Sequence, residues 1–141
     1  MMTNGIELAA LLKAHRRIHV VGLSPRPERT SHRVALSLVA RGFEVIPVNP
    51  MVREVMGKTS FPSLEAASEH GSVELVNVFR DGEALPGIVD DIERTGGVEI
   101  VWLQLGVHHG GAEQRLKDMG MILVADRCIK VEAERLNVRH A

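Results

Sequence analysis

The run Gly22-Leu23-Ser24-Pro25-Arg26-Pro27-Glu28-Arg29-Thr30-Ser31 combines residue types that hold phosphate. A glycine follows an apolar run, hydroxyls stand just before an amphipathic segment, and arginines recur as far as Arg33. Backbone N–H groups left unpaired at a helix start attract anions, and the helix dipole reinforces them. Arg53 and Lys58 extend the basic character after the next apolar run. A dinucleotide fingerprint needs G-x-G-x-x-G and an acidic residue about 20 positions on, for the ribose. Here Gly22, Ser24 and Pro27 occupy the glycine positions, and the second run ends in Val48-Asn49-Pro50 with no carboxylate. That argues against NAD and leaves NADP open. The arginine cluster suits a pyrophosphate carrying an additional phosphomonoester, and coenzyme A has both. The competing reading makes Gly22 and Ser24 an ordinary tight turn and each arginine a solvated charge.

Other reactive side chains read as structural. His108 and His109 are adjacent and lack a carboxylate at ligand spacing, so loop or helix-capping roles are favoured over a metal pair or a general base. Cys128 is the single cysteine, which excludes an intrachain disulfide and a cysteine-based zinc site. It follows the last apolar run, within reach of a ligand thiol at the same sheet edge. Trp102, Met119 and Met121 read as core, Asp81 as a turn cap, and Glu132 with Glu134 as a solvated face.

The surrounding pattern supplies the elements that would position the loop. Residues 3–15 read as a helix, with Leu8, Leu11 and Leu12 on one face. Ile18 to Gly22 is a β-branched strand of the kind buried on both faces. Thr30 or Ser31 is expected to cap a helix burying Val34, Ala35, Leu38 and Val39 and stopping at Gly42. Strands follow at 43–48, 75–79, 98–103 and 121–124, with helices from Pro86, over 111–119 and over 130–136. Pro47 demands an edge-facing or bent position, and 59–61 reads as a short edge strand before a short helix from Ser63. Alternating strands and helices give an α/β, Rossmann-like, doubly wound, mainly parallel sheet with helices on both faces. Ligands bind such sheets at the carboxyl ends of the strands, which nominates the loops 22–31, 49–58, 79–82 and 104–110.

The 141 residues suit one domain, 1–141. Net charge is −1, so nucleic acid and membrane surfaces are not expected partners, and any anion site must be local. No apolar run approaches the roughly 20 residues of a membrane span. Residues 1–7 lack a signal-type pattern, and the expected location is cytoplasmic.

Val21-Gly22-Leu23-Ser24, Pro27-Glu28-Arg29, Ser31, Arg33-Val34 and Val48-Asn49-Pro50 resemble the small stand-alone CoA-binding domain family. So do Val78-Phe79-Arg80, the run Trp102 to Val107, and Asp126-Arg127-Cys128. This family is related to the CoA-binding domain of the succinyl-CoA synthetase alpha subunit. The resemblance spans about residues 6–136 and implies a Rossmann-like fold that binds coenzyme A or an acyl-CoA. It implies Gly22 and Ser24 at the pyrophosphate, Asn49 and Pro50 beside the nucleotide, and Phe79, Arg80, Gly106 and Val107 in the next two loops. His32, Thr30 and Ile129 depart from the family's frequent tyrosine, proline and proline. No nucleophile elbow, metal spacing or acid–base pair is found, so no catalytic residue is expected. The leading reading is a binding or regulatory module, with a homo-oligomer or partner protein left open. The alternatives are an NADP-linked oxidoreductase and the CoA-binding subunit of a separately encoded acyl-CoA ligase.

Overall fold

The computed structural model describes residues 5–141, so positions 3 and 4 of the expected N-terminal helix lie outside the described residues. Helix α1 is Gly5–Ala14, strand β1 Arg17–Val21, helix α2 Thr30–Ala40 and strand β2 Glu44–Val48. A small hairpin, β3 Glu54–Val55 with β4 Lys58–Thr59, precedes helix α3 Leu64–Ser68. Then come β5 Leu75–Val78, α4 Leu85–Thr95, β6 Ile100–Leu103, α5 Gly110–Asp118, β7 Ile122–Val124 and α6 Ile129–Arg135.

The main sheet runs β2-β1-β5-β6-β7, and every pairing in it is parallel. Phe61 adds a single parallel bridge outside β2. Counting that bridge as a vestigial strand, the order is the 3-2-1-4-5-6 of dinucleotide-binding sheets. Strand order reverses between β1 and β5, so the crevice belongs at the carboxyl ends of those two strands.

Strand alternation divides the core between the two faces. Ile18, Val20, Leu75, Ile100 and Trp102 pack with Leu8, Leu12, Val34, Leu38 and Ile129, beneath α1, α2 and α6. Val21, Val76, Val78, Val101 and Leu103 pack with Leu64, Val89, Ile92 and Leu116, beneath α3, α4 and α5. Among the described residues no helix is long and apolar enough to cross a membrane.

Pro47 is accommodated as its chemistry requires. Its carbonyl accepts from the Phe61 N–H at 3.0 Å on the outer side of β2. Within a strand, a residue's N–H and C=O point to the same side, so the donor that proline lacks also faces outward, away from β1. The expected strand at 59–61 is divided: Lys58–Thr59 pairs antiparallel with Glu54–Val55, and Phe61 alone reaches the main sheet. The hairpin turns on Met56 and Gly57, both at positive φ, as a two-residue loop of that twist requires.

Three expectations are corrected. Neither Thr30 nor Ser31 caps α2, because the N-cap position is Arg29, without a side-chain cap, and Ser31 turns its hydroxyl to the preceding loop. Val39 is exposed, since it lies at the margin of the apolar stripe. Glu132 is buried rather than solvated: its Oε1 accepts from Arg127 at 3.1 Å and from Arg135 at 2.8 Å. The Arg135 hydrogen bond, against the opposing effect of burial, holds its carboxyl below the usual range. Glu134 remains exposed.

Candidate functional site

The loop after β1 is braced from within. Gly22 sits at φ +85°, the left-handed region that glycine tolerates best. It donates its N–H to Val48 O at 2.9 Å, tying the loop to the end of β2. A β-carbon at Gly22 would stand 2.6 Å from the Phe79 carbonyl oxygen. The glycine is therefore required both by its backbone angle and by the close approach of the 79–82 loop.

Beyond Gly22, serine hydroxyls satisfy backbone N–H groups of the loop itself. Ser31 Oγ accepts from the Ser24 N–H at 3.0 Å, and Ser24 Oγ accepts from the Arg26 N–H at 3.1 Å. His32 donates from Nδ1 to Ser24 O at 2.9 Å, which fixes its tautomer. Asn49 donates to Leu23 O at 3.0 Å and accepts from the Met51 N–H at 2.9 Å. These bonds leave the N–H groups of Thr30 and Ser31 without a partner among the described residues, at the start of α2 where the helix dipole is positive.

Three clefts cluster around this loop, two of them reaching the helix start at Thr30. One, of about 340 Å³, is lined by Gly22, Ser24, Arg26, Arg29, Thr30, Ser31 and Phe79. A second, of about 530 Å³, shares Gly22 and continues past Asn49, Pro50, Met51, Arg80 and Ile88. A third, of about 390 Å³, shares Thr30, Phe79 and Arg80 and continues past Gln104, Gly106 and Val107 to Cys128. Sharing Gly22, Thr30, Phe79 and Arg80 as lining residues, the three lie side by side across the switch point as a segmented groove. Arg29 and Arg80 line it, and neither has an ion-pair partner among the described residues.

A family model described as a CoA binding domain matches residues 16–134. The chain belongs to this CoA-binding domain family. It is 41% identical over 125 residues to an uncharacterised protein, YneT, of Bacillus subtilis, covering 89% of this chain and 90% of that one. A hypothetical protein from Pyrococcus horikoshii superposes with a TM-score of 0.90 at 30% identity, covering 96% of this chain and 93% of that one. A protein from Thermus thermophilus, called cell-free ID.343, superposes with a TM-score of 0.87 at 34% identity, covering 95% and 99% respectively.

Within this CoA-binding domain, most residues singled out from sequence meet at the groove: Gly22, Ser24, Arg26, Arg29, Ser31, Asn49, Pro50, Phe79, Arg80, Gly106 and Val107. Arg33 and Lys58 line none of these clefts. Arg33 turns back on its own loop, donating to the Glu28 carbonyl and, at 3.4 Å, to Thr30 Oγ1. Lys58 sits in the small hairpin. Arg26 lies 3.5 Å from Glu28, which offsets part of its charge.

The buried, bonded roles of Asn77 and of Gln104, which opens the nominated 104–110 loop, escaped the sequence reading. Both are buried, and Gln104 Oε1 accepts from Asn77 Nδ2 at 3.1 Å and from the Ile129 N–H at 3.0 Å. Trp102 donates from its indole to Arg127 O at 2.9 Å. Together they fasten the start of α6 over the strand ends and hold Cys128 against the third cleft. The available signal was a lone amide inside Leu75-Val76-Asn77-Val78-Phe79, an otherwise apolar run. His109 and Asp81 take the expected capping roles, accepting from the Ala112 and Ala84 N–H groups respectively at 3.0 Å.

Proposed function

We propose that this protein binds coenzyme A, or an acyl-CoA, along the groove at the carboxyl edge of its sheet, as a binding or regulatory module rather than a catalyst. The observation that carries this reading is the meeting of three features at one place. These are the N–H groups opening α2 and the side chains of Arg29 and Arg80, all without a partner among the described residues, and a groove continuing in both directions from them. The pyrophosphate would rest on the helix start. The adenosine part would take the cleft beside Asn49 and Pro50, and the pantetheine arm the cleft between Phe79, Gly106 and Cys128. The chemical match lies in the alternation of polar start and apolar arm, which a groove with cationic centre and less polar ends accommodates.

Calorimetry with four ligands at one ionic strength tests this. Coenzyme A is expected to bind in the micromolar range, about −8 kcal/mol. Dephospho-CoA loses charge-assisted contacts and is expected several-fold weaker. NADP falls below CoA because its extra phosphate sits on another ribose oxygen, and NAD is weakest. NADP outranking CoA would favour an oxidoreductase instead, and no binding below millimolar would reduce the 22–31 loop to a structural turn.

A further inference from the structure

The opposite edge of the sheet carries a second cluster with a different chemistry. His15 follows α1, Glu74 directly precedes β5, and Glu99 directly precedes β6. The parallel register Leu75↔Ile100 places the two glutamates side by side, and the Glu99 N–H donates to Glu74 O at 2.9 Å. The end of α1 brings His15 over them. One donor atom from each of the three lies within 4.8 Å of the others.

The histidine is oriented. Its Nδ1 donates to Leu11 O at 2.8 Å, so a neutral ring presents its lone pair at Nε2. A ring nitrogen anchored on a backbone carbonyl, with the other turned to a shared centre, is the usual arrangement of a metal-bound histidine. Nε2 lies 3.0 Å from Glu99 Oε2 and 3.8 Å from Glu74 Oε1. Ligands on a tetrahedral zinc, with bonds of about 2.0 to 2.2 Å, stand about 3.4 Å from one another, and the two observed separations bracket that spacing.

Among the described residues the two carboxylates also lack another cation. Arg16 and Arg17, the nearest basic side chains along the adjoining cleft, are both engaged by Glu44 Oε1, at 3.6 and 3.2 Å. Among the described residues, His15 is the only ion-pair partner of Glu74 and of Glu99. Ser72 donates to Glu74 Oε2 at 3.0 Å, orienting that carboxylate while leaving Oε1 toward the histidine. Three acceptor atoms converging on one point need a positive charge between them. In metal-free protein a proton on Nε2 serves.

We propose that His15, Glu74 and Glu99 form a divalent-metal site, suited to Zn²⁺, that clips the end of α1 to the amino-terminal edge of β5 and β6. One imidazole nitrogen and two carboxylate oxygens match the borderline character of zinc better than that of magnesium or calcium, which prefer all-oxygen sets. A fourth position would hold water. The site is remote from the groove, so its role is to fasten α1 rather than to meet the ligand proposed there.

Zn²⁺ titration of the whole protein against a competing chelator tests this, with Co²⁺ as a spectroscopic probe. The expected result is one zinc per chain, with binding at least tenfold weaker in both His15→Gln and Glu99→Gln. His108→Ala, in the other histidine–carboxylate group of the described residues, is expected to bind as the wild type does. Far-ultraviolet circular dichroism verifies the fold of each variant, and the visible Co²⁺ bands of the wild type give a second readout that Glu99→Gln should abolish. Absence of stoichiometric zinc in the wild type overturns the proposal. So does undiminished affinity in either folded ligand variant.

Discussion

Gly22→Ala tests whether the loop geometry, rather than loop charge alone, builds the groove. Two costs can be separated. The first is backbone: an L-residue at φ +85° in the left-handed region costs about 1 to 2 kcal/mol. The second is contact: the new methyl would lie 2.6 Å from the Phe79 carbonyl oxygen, and 2.8 Å from Arg80 Cδ. Arg80 can yield, being a long side chain. Phe79 cannot yield cheaply, because its N–H is bound to Val21 O at 2.8 Å, and a retreat would open β1 from β5. Overpacking of this kind costs about 1 to 3 kcal/mol, giving about 2 to 5 in total. Gly57→Ala supplies the control, since Gly57 has φ +72° but nothing within 4 Å of an added methyl. It should show the backbone cost alone. Urea unfolding of both variants measures the difference, and calorimetry should show CoA affinity reduced at least tenfold by Gly22→Ala and unchanged by Gly57→Ala. Equal destabilisation and equal CoA affinity in the two variants would refute the close-approach argument.

Three further outcomes are expected. Burial of His19, reinforced by the positive charge of Arg17, lowers its pKa from 6.5 to about 4, so between those values the unfolded chain binds more protons than the folded one. Its stabilising effect is full above the unfolded pKa and falls as pH drops, by about 3 kcal/mol at most; His19→Asn should flatten the pH profile of urea midpoints, and parallel profiles would count against it. Arg29→Ala should weaken CoA by about 1 to 3 kcal/mol at low salt and less at high salt, whereas Arg33→Ala, which removes a loop clamp, should lose affinity without that salt dependence; identical salt responses would remove the distinction. Cys128 lines the third cleft, so CoA disulfide should transfer one CoA to its thiolate and release CoA thiol; no mass addition, or the same addition to Cys128→Ser, contradicts this.

The five strands of the main sheet were legible because each is a short β-branched or apolar run near glycine or proline, as in Ile18-His19-Val20-Val21-Gly22, whereas the polar pair Glu54–Val55 and Lys58–Thr59 carries no such signal. Pro47 was legible because a missing N–H has few places to go. The loop after β1 was legible as a phosphate-type turn, yet the direction of its arginines was not. Arg33 and Arg29 look alike in sequence, and only the path of the loop turns one back to the Glu28 carbonyl and leaves the other at the groove. Glu132 misled for a related reason. A local reading sees a charge among charges, while Arg127 and Arg135 converge on it once α6 is formed. His15, Glu74 and Glu99 carry no shared spacing at all: strand register brings the two glutamates together, and the end of α1 brings the histidine to them.

The bridge at Phe61 has a consequence for how copies of this chain can meet. A sheet edge with free N–H and C=O groups is a template for another strand. On the β2 side, Pro47 offers no donor and Phe61 already occupies the neighbouring groups. On the other side, β7 presents only Ile122–Val124. Neither margin offers a long ladder for edge-to-edge growth into fibrils. The exposed apolar side chains Leu36, Val39 and Val131 lie instead on the helices α2 and α6, where a contact between copies would not extend the sheet.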